Sequence, residues 1–236
     1  MSASTSCAQK ALIPGEVPTG SLEALKWLGV LSMTADHINT FLLNSRHPVM
    51  FNMGRVAFPL FGFILAHNLA RPAAFERGVY RRTLARLACF GVLALPACLG
   101  LGHNIAGWYP LNVMFTFCVV TGVLHLLQRR DTNAAVGAAL VFVLGSAVVE
   151  YWWPGVAFCL ATFCYTRHPH WGWLAALVGS LLLLSLVNVT LWTLAALPII
   201  MIVTRFNLPV PRCRWAFYAY YPAHLTLVWI TQLLTP

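Results

Sequence analysis

The chain has 236 residues, of which 59% are hydrophobic and 9% charged, with a mean hydropathy of +0.74; a water-soluble domain carries about a quarter charged residues, so the solvent is expected to be largely lipid. Nine spanning helices of about 20 residues each leave only tails and loops, which excludes a separate soluble domain. The net charge of +9 is read as loop arginines that fix orientation rather than as a nucleic-acid surface, because no basic face sits on a folded soluble module.

In chain order, residues 1–20 are polar and carry Pro14, Gly15, Pro18 and Gly20. They lack the order of a cleaved signal peptide and are read as a cytoplasmic tail. Residues 21–236 are read as one transmembrane domain, all-α, whose first apolar run is an uncleaved anchor. Proline, glycine and charge divide it into helices at Leu22–Leu43, Asn52–Ala70, Thr83–Leu101, Pro110–Leu127 and Ala134–Trp152. Four more follow at Pro154–Tyr165, Trp171–Val187, Thr190–Thr204 and Trp215–Leu234, with Asn188 as the turn between the seventh and eighth. The sixth is short. With the N-terminus inside, Lys10, Arg71, Arg77, Arg81, Arg82, Arg86, Arg129, Arg130, Arg167, Arg205, Arg212 and Arg214 all fall on the cytoplasmic side. Only Arg46 lies outside, and Lys26 and Arg55 lie within helices. The nine-span, N-in/C-out parse therefore obeys the positive-inside rule. The seven cysteines are odd in number, form no C-x-x-C pair and mostly sit in apolar runs; they read as small buried hydrophobes, and no metal site is expected.

Ionisable side chains in mid-membrane cost about 2.5–3.5 kcal/mol each on insertion scales and tend to face a bundle interior. The first helix has Glu23, Lys26, Asp36 and His37, the second Arg55 and His67, and the last His224 beside Tyr218, Tyr220 and Tyr221. Lys26 and His37 are 11 residues apart, or three turns plus about 20°, so they share a face roughly 16 Å apart along the axis. Glu23 shares that face; Asp36 points about 100° away from His37 and is placed to orient some other neighbour. Tyr221 and His224 share a face of the last helix, where Pro222 frees the carbonyl of Tyr218; Pro59 likewise frees that of Arg55. Freed groups of this kind often line cavities. Plainer alternatives stand beside these. Lys26 and Glu23 can snorkel at the inner interface, Arg55 can sit at the outer one, His67 and His224 can be packed core groups, and the tyrosines and nine tryptophans can form an aromatic belt. The Asp36–His37 pair is the hardest to explain as structure alone.

Four stretches carry a resemblance. Leu25–Asn39 reads LKWLGVLSMTADHIN, Gly54–Arg71 reads GRVAFPLFGFILAHNLAR, Phe217–Trp229 reads FYAYYPAHLTLVW, and Tyr109–Leu124, YPLNVMFTFCVVTGVL, is similar in character. Together they resemble the TraX family of conjugative-pilus proteins, which acetylate the N-terminus of pilin and share the DHIN, GR-x-AFPLF and FY-x-x-YP-x-HL elements. More widely the chain is similar to integral-membrane acyltransferases of surface glycans, whose first helix has an acidic residue, an arginine and, eleven residues on, a histidine. Glu23, Lys26 and His37 occupy those places, with lysine for arginine, which keeps the charge and loses bidentate recognition. Arg55 matches their second motif loosely, and Tyr221 and His224 their late Tyr-x-x-His.

The resemblance implies a multi-pass protein of the bacterial inner membrane that moves acetyl from cytosolic acetyl-CoA to the amine of a membrane-embedded pilin subunit. His37 is the expected general base. Arg55, Tyr221 or His224 is the expected oxyanion donor, and Asp36 is expected to orient one of these groups or the acceptor ammonium. Lys26 and Glu23, with Arg81 and Arg82, are the expected acetyl-CoA contacts, and Arg77 and Arg86 add to the basic field, topology alone being the plainer account of these arginines. The partners expected are pilin and the lipid bilayer, with no nucleic acid and no metal. The rival expectations are an acyltransferase with a glycan or lipid acceptor, and a non-enzymatic pilus-assembly scaffold or transporter.

Overall fold

The structure, a computed structural model, describes residues 17–102, 105–213 and 215–235. Among these residues the secondary structure is helical, in nine rods: α1 (Thr19–Phe41), α2 (Pro48–Ala70), α3 (Val79–Gly100), α4 (Val113–Leu127), α5 (Thr132–Val148), α6 (Trp152–Arg167), α7 (Trp171–Val187), α8 (Leu191–Val203) and α9 (Ala216–Leu234). A π turn at Val141–Gly145 interrupts α5, and α8 opens as a 3-10 turn at Leu191–Ala195. Of the expected tail, residues 1–16 lie outside the described residues, as do Lys10 and Arg214. α1 begins at Thr19.

The helix ends follow local chemistry. α4 starts at Val113 rather than at Pro110, because the Asn112 side chain accepts a hydrogen bond from the Met114 N–H (3.1 Å) and caps the helix. α3 starts at Val79, after Gly78 at φ 65°. α5 ends at Val148 rather than Trp152. Val149 is extended there, and the Leu111 N–H and the Glu150 N–H exchange bonds with Val148 and Leu111 carbonyls (2.9 Å each). α6 is longer than expected, reaching Arg167. The turn at Asn188 is where the sequence places it. Hydroxyls inside apolar helices satisfy themselves on the preceding turn: Thr121, Thr162 and Ser185 donate to Phe117, Phe158 and Leu181 carbonyls.

Six helices close a ring. α1 packs on α2, α2 on α6, α6 on α4, α4 on α3, α3 on α9, and α9 back on α1. α5 lies outside against α4, and α7 and α8 lie outside against α6 and α2. Close approach depends on small residues, as in membrane helix pairs generally. A Cβ on Gly29 would meet the Phe61 ring at 2.9 Å, one on Gly62 the Cys159 sulfur at 2.8 Å, and one on Gly100 the Trp229 indole at 2.1 Å. One buried cluster (Phe58, Leu69, Leu87, Phe117, Phe158, Leu225) packs the ring helices together, and a second (Leu22, Leu25, Leu60, Phe63, Tyr165, Ile200) joins them to α8.

Of the nine, α2 and α3 are long and apolar enough to cross a membrane. α4, α5, α7 and α8 are apolar but shorter; at about 1.5 Å per residue a 15-residue helix such as α4 reaches roughly 22 Å. The long helix α1 carries Glu23, Lys26 and Asp36.

Candidate functional site

The polar residues of α1, α2 and α9 meet inside the ring. His37 and His224 face each other, with Nδ1 of His37 2.8 Å from Nε2 of His224 and the two rings parallel. Nδ1 of His224 lies 2.9 Å from the Tyr220 carbonyl. A carbonyl only accepts, so that nitrogen carries the hydrogen. With both rings neutral, Nε2 of His224 then accepts from the Nδ1–H of His37, and Nε2 becomes the basic nitrogen of His37. The tautomer of the first-helix histidine is thus set by one backbone carbonyl of α9. A second tie joins the same helices: the Thr34 hydroxyl donates to the Val30 carbonyl (2.8 Å) and accepts from the Tyr220 hydroxyl (2.7 Å).

Asp36 forms an ion pair with Arg55. The guanidinium also reaches the Asn188 side-chain oxygen at 3.5 Å and the Phe51 carbonyl at 3.4 Å, over the Phe51 ring. Three elements therefore hold Arg55 in place. Gly54 makes this possible, since a Cβ there would sit 2.3 Å from Asp36 Cβ. Removing one member of such a sheltered pair leaves a charge without its partner and costs about 3–5 kcal/mol.

Two cavities open within the ring. The larger, about 490 Å³, is rimmed by Lys26, Arg71, Arg77, Arg82, Arg86 and Arg212. The smaller, about 280 Å³, is a chamber at the other end, walled by Asp36, His37, Arg55, Cys98, Glu150 and Asn188 with the rings of Phe41, Tyr151 and Trp152. Among the described residues Tyr221 alone lines both. It is buried, and its hydroxyl lies within reach of the Cys98 thiol.

His37, Asp36, Arg55 and Tyr221 thus share one chamber. His224 is not on the chamber wall and lies against His37 from the α9 side. Of the expected acetyl-CoA contacts, Lys26 and Arg82 line the basic cavity. Glu23 is buried behind Lys26, 2.6 Å from its ammonium, with the Cys213 N–H donating to its other oxygen at 3.4 Å. Arg81 is exposed and does not line the cavity. Arg71 and Arg212, read from sequence only as topology signals, are on its rim. Tyr220 and Tyr221 lie against His224 inside the ring, and His67 is a buried core residue whose ring is tilted against that of Phe63.

Glu150 was not singled out by the sequence. The signal was an acid inside an apolar run, the same signal that marked Asp36. Burial raises the Glu150 carboxyl to about 7, against the opposing pull of Arg55 and of the Val113 N–H and helped by Asp36. Among the described residues, no group of three or more His, Cys, Asp or Glu side chains is arranged to hold a metal ion.

A model of the TraX protein family matches residues 21–232. The chain is similar to Protein TraX of Escherichia coli, 31% identical over 127 residues, covering 53% of this chain and 47% of that protein. It is also similar to Protein TraX of Escherichia coli strain K12, 29% identical over 127 residues with the same coverage. The match spans about half the length of these relatives. No solved structure matches.

Proposed function

The chain belongs to the TraX family, and from that premise we propose that it is a multi-pass inner-membrane enzyme that moves acetyl from acetyl-CoA to the α-amine of a pilin subunit. On this reading all nine rods lie in the membrane. Leu31, Val92, Leu144, Leu183, Leu186 and Leu227 are exposed on their flanks, an apolar surface suited to lipid. The cytoplasmic side is the end that carries the basic rim, as the distribution of arginines requires.

The observation that carries the proposal is the position of Tyr221, shared between a cavity rimmed with six cationic side chains and a chamber that holds a histidine of defined tautomer. The basic cavity suits the phosphates of CoA. Lys26, paired with Glu23 and set 5.0 Å over the Phe217 ring, is held at its wall. The acceptor amine enters the chamber from the opposite end. As its nitrogen bonds to the thioester carbonyl carbon, Nε2 of His37 takes a proton from it. The carbonyl oxygen becomes an oxyanion, for which the Tyr221 hydroxyl and the Arg55 guanidinium are donors on the chamber wall. Collapse breaks the C–S bond, and the departing CoA sulfur takes the proton from His37. Asp36 and Asn188 keep Arg55 aimed, and His224 keeps His37 in the basic tautomer.

The test is acetyl transfer by the purified full chain, given acetyl-CoA and pilin, and read as the acetyl mass increment on the pilin α-amine. We expect transfer by the unaltered chain and at least a 100-fold loss for His37→Ala, in line with general-base catalysis, with membrane insertion intact. Normal transfer by His37→Ala removes the histidine from the mechanism. Transfer to a glycan or lipid acceptor in place of pilin keeps the chemistry and changes the substrate.

A further inference from the structure

We propose that the smaller chamber is a binding site for a primary ammonium group and that Glu150 is the residue that recognises it. This deepens the reading above by giving the acceptor a charge, the bound ammonium passing one proton to the Glu150 carboxylate before its nitrogen attacks; the binding itself does not depend on acetyl transfer.

Three observations converge on it. The first is charge. Asp36 is neutralised by Arg55, whose remaining hydrogen bonds go to Asn188 and to the Phe51 carbonyl. Glu150 is a second carboxyl on the same wall. With that carboxyl ionised and His37 neutral, the described lining carries one net negative charge, which suits a cation. The hydroxyl of a glycan makes no such demand.

The second is placement. Glu150 sits in the turn between α5 and α6, outside the helical rods, and its main chain is fixed on both sides. Its N–H donates to the Leu111 carbonyl (2.9 Å), and its carbonyl accepts from the Thr116 hydroxyl (2.7 Å). The third is the company it keeps. Phe41, Tyr151 and Trp152 line the chamber with it. Tyr151 is stacked on Phe58 at 4.1 Å, and the Trp152 indole N–H donates to the Tyr109 hydroxyl at 2.9 Å. Aromatic rings held beside a carboxylate make a setting that attracts ammonium groups.

The groups facing Glu150 from the surrounding elements are Asp36 and His37 of α1, Arg55 of α2, Cys98 of α3 and Tyr221 of α9, with Tyr151 beside it. Among them Arg55 is the one cation, and it is committed to Asp36. An arriving ammonium would supply the counter-charge that draws the raised Glu150 carboxyl back to its ionised form.

The experiment is equilibrium binding to the purified full chain in a lipid nanodisc, with two probes: a glycine-rich pentapeptide with a free α-amine and the same peptide N-acetylated. We expect the free-amine peptide to bind the unaltered chain at least tenfold more tightly. We expect Glu150→Gln to erase that preference and Glu150→Asp to retain part of it. Equal binding of the two peptides to the unaltered chain overturns the proposal without recourse to any variant. A preference that survives Glu150→Gln overturns the role of Glu150. Acetyl transfer is measured on the same preparations. A preference for the free amine without transfer counts against the enzyme and leaves the ammonium site standing; transfer without a preference does the reverse.

Discussion

Glu150 shows how much one side chain can carry. Its carboxyl is raised from 4.5 to about 7, so between those values the folded chain holds a proton that the unfolded chain releases. Stability from this group therefore falls as pH rises from about 4.5 through about 7 and is level beyond that. Glu150→Gln cannot ionise. We expect it to melt with the unaltered chain near about pH 4 and several degrees above it near about pH 8, and a gap that does not widen with pH rejects the assignment. At this scale the sequence exposed Asp36, His37, Arg55, Tyr221 and His224, because an ionisable or phenolic group in an apolar segment is costly and stands out against its neighbours. It did not reveal which of them touch. The Asp36–Arg55 pair and the His37–His224 contact join residues of different helices, 19 and 187 positions apart, and spacing along one helix carries no information about the helix that faces it.

Between elements, the junction of α1 and α2 is the most demanding contact. Asp36 enters a gap that exists because residue 54 has no side chain. Gly54→Ala places a methyl 2.3 Å from Asp36 Cβ and 2.6 Å from its Oδ2, so the two helices must separate and the Arg55 pair must loosen. Overpacking of this kind costs about 1–3 kcal/mol. We expect a lower melting temperature together with a fall in acetyl transfer, and an unchanged melting temperature rejects the tight contact between residue 54 and Asp36. This gives a packing reason for the Gly54-Arg55 dipeptide that the motif alone does not supply. Helix number and approximate limits were legible because proline, glycine and charge punctuate apolar runs. The limits that moved were those decided by capping or by partners elsewhere, such as Asn112 at the start of α4 and the Leu111–Val149 bridge that ends α5.

For the molecule as a whole, the arrangement is a closed ring of α1, α2, α6, α4, α3 and α9, with the last helix completing it between the first and the third. That order was not legible in the sequence, since only two of its six contacts, α1 with α2 and α3 with α4, join neighbours in the chain. The ring has a basic end and an opposite end, and the proposed topology puts them on different sides of the membrane. In a cysteine-free background, Glu76→Cys beside the basic rim is expected to react with a membrane-impermeant maleimide from the cytoplasmic side alone, and Ile105→Cys, exposed near the chamber, from the other side alone. Labelling of both from one side rejects the orientation. The position of Tyr221 has a further consequence. If water reaches both hollows, Tyr221 is the side chain that stands in both walls, and ion-tightness at this point leans on it. A small side chain at that position would then let protons drain down the electrical gradient whether or not any chemistry took place.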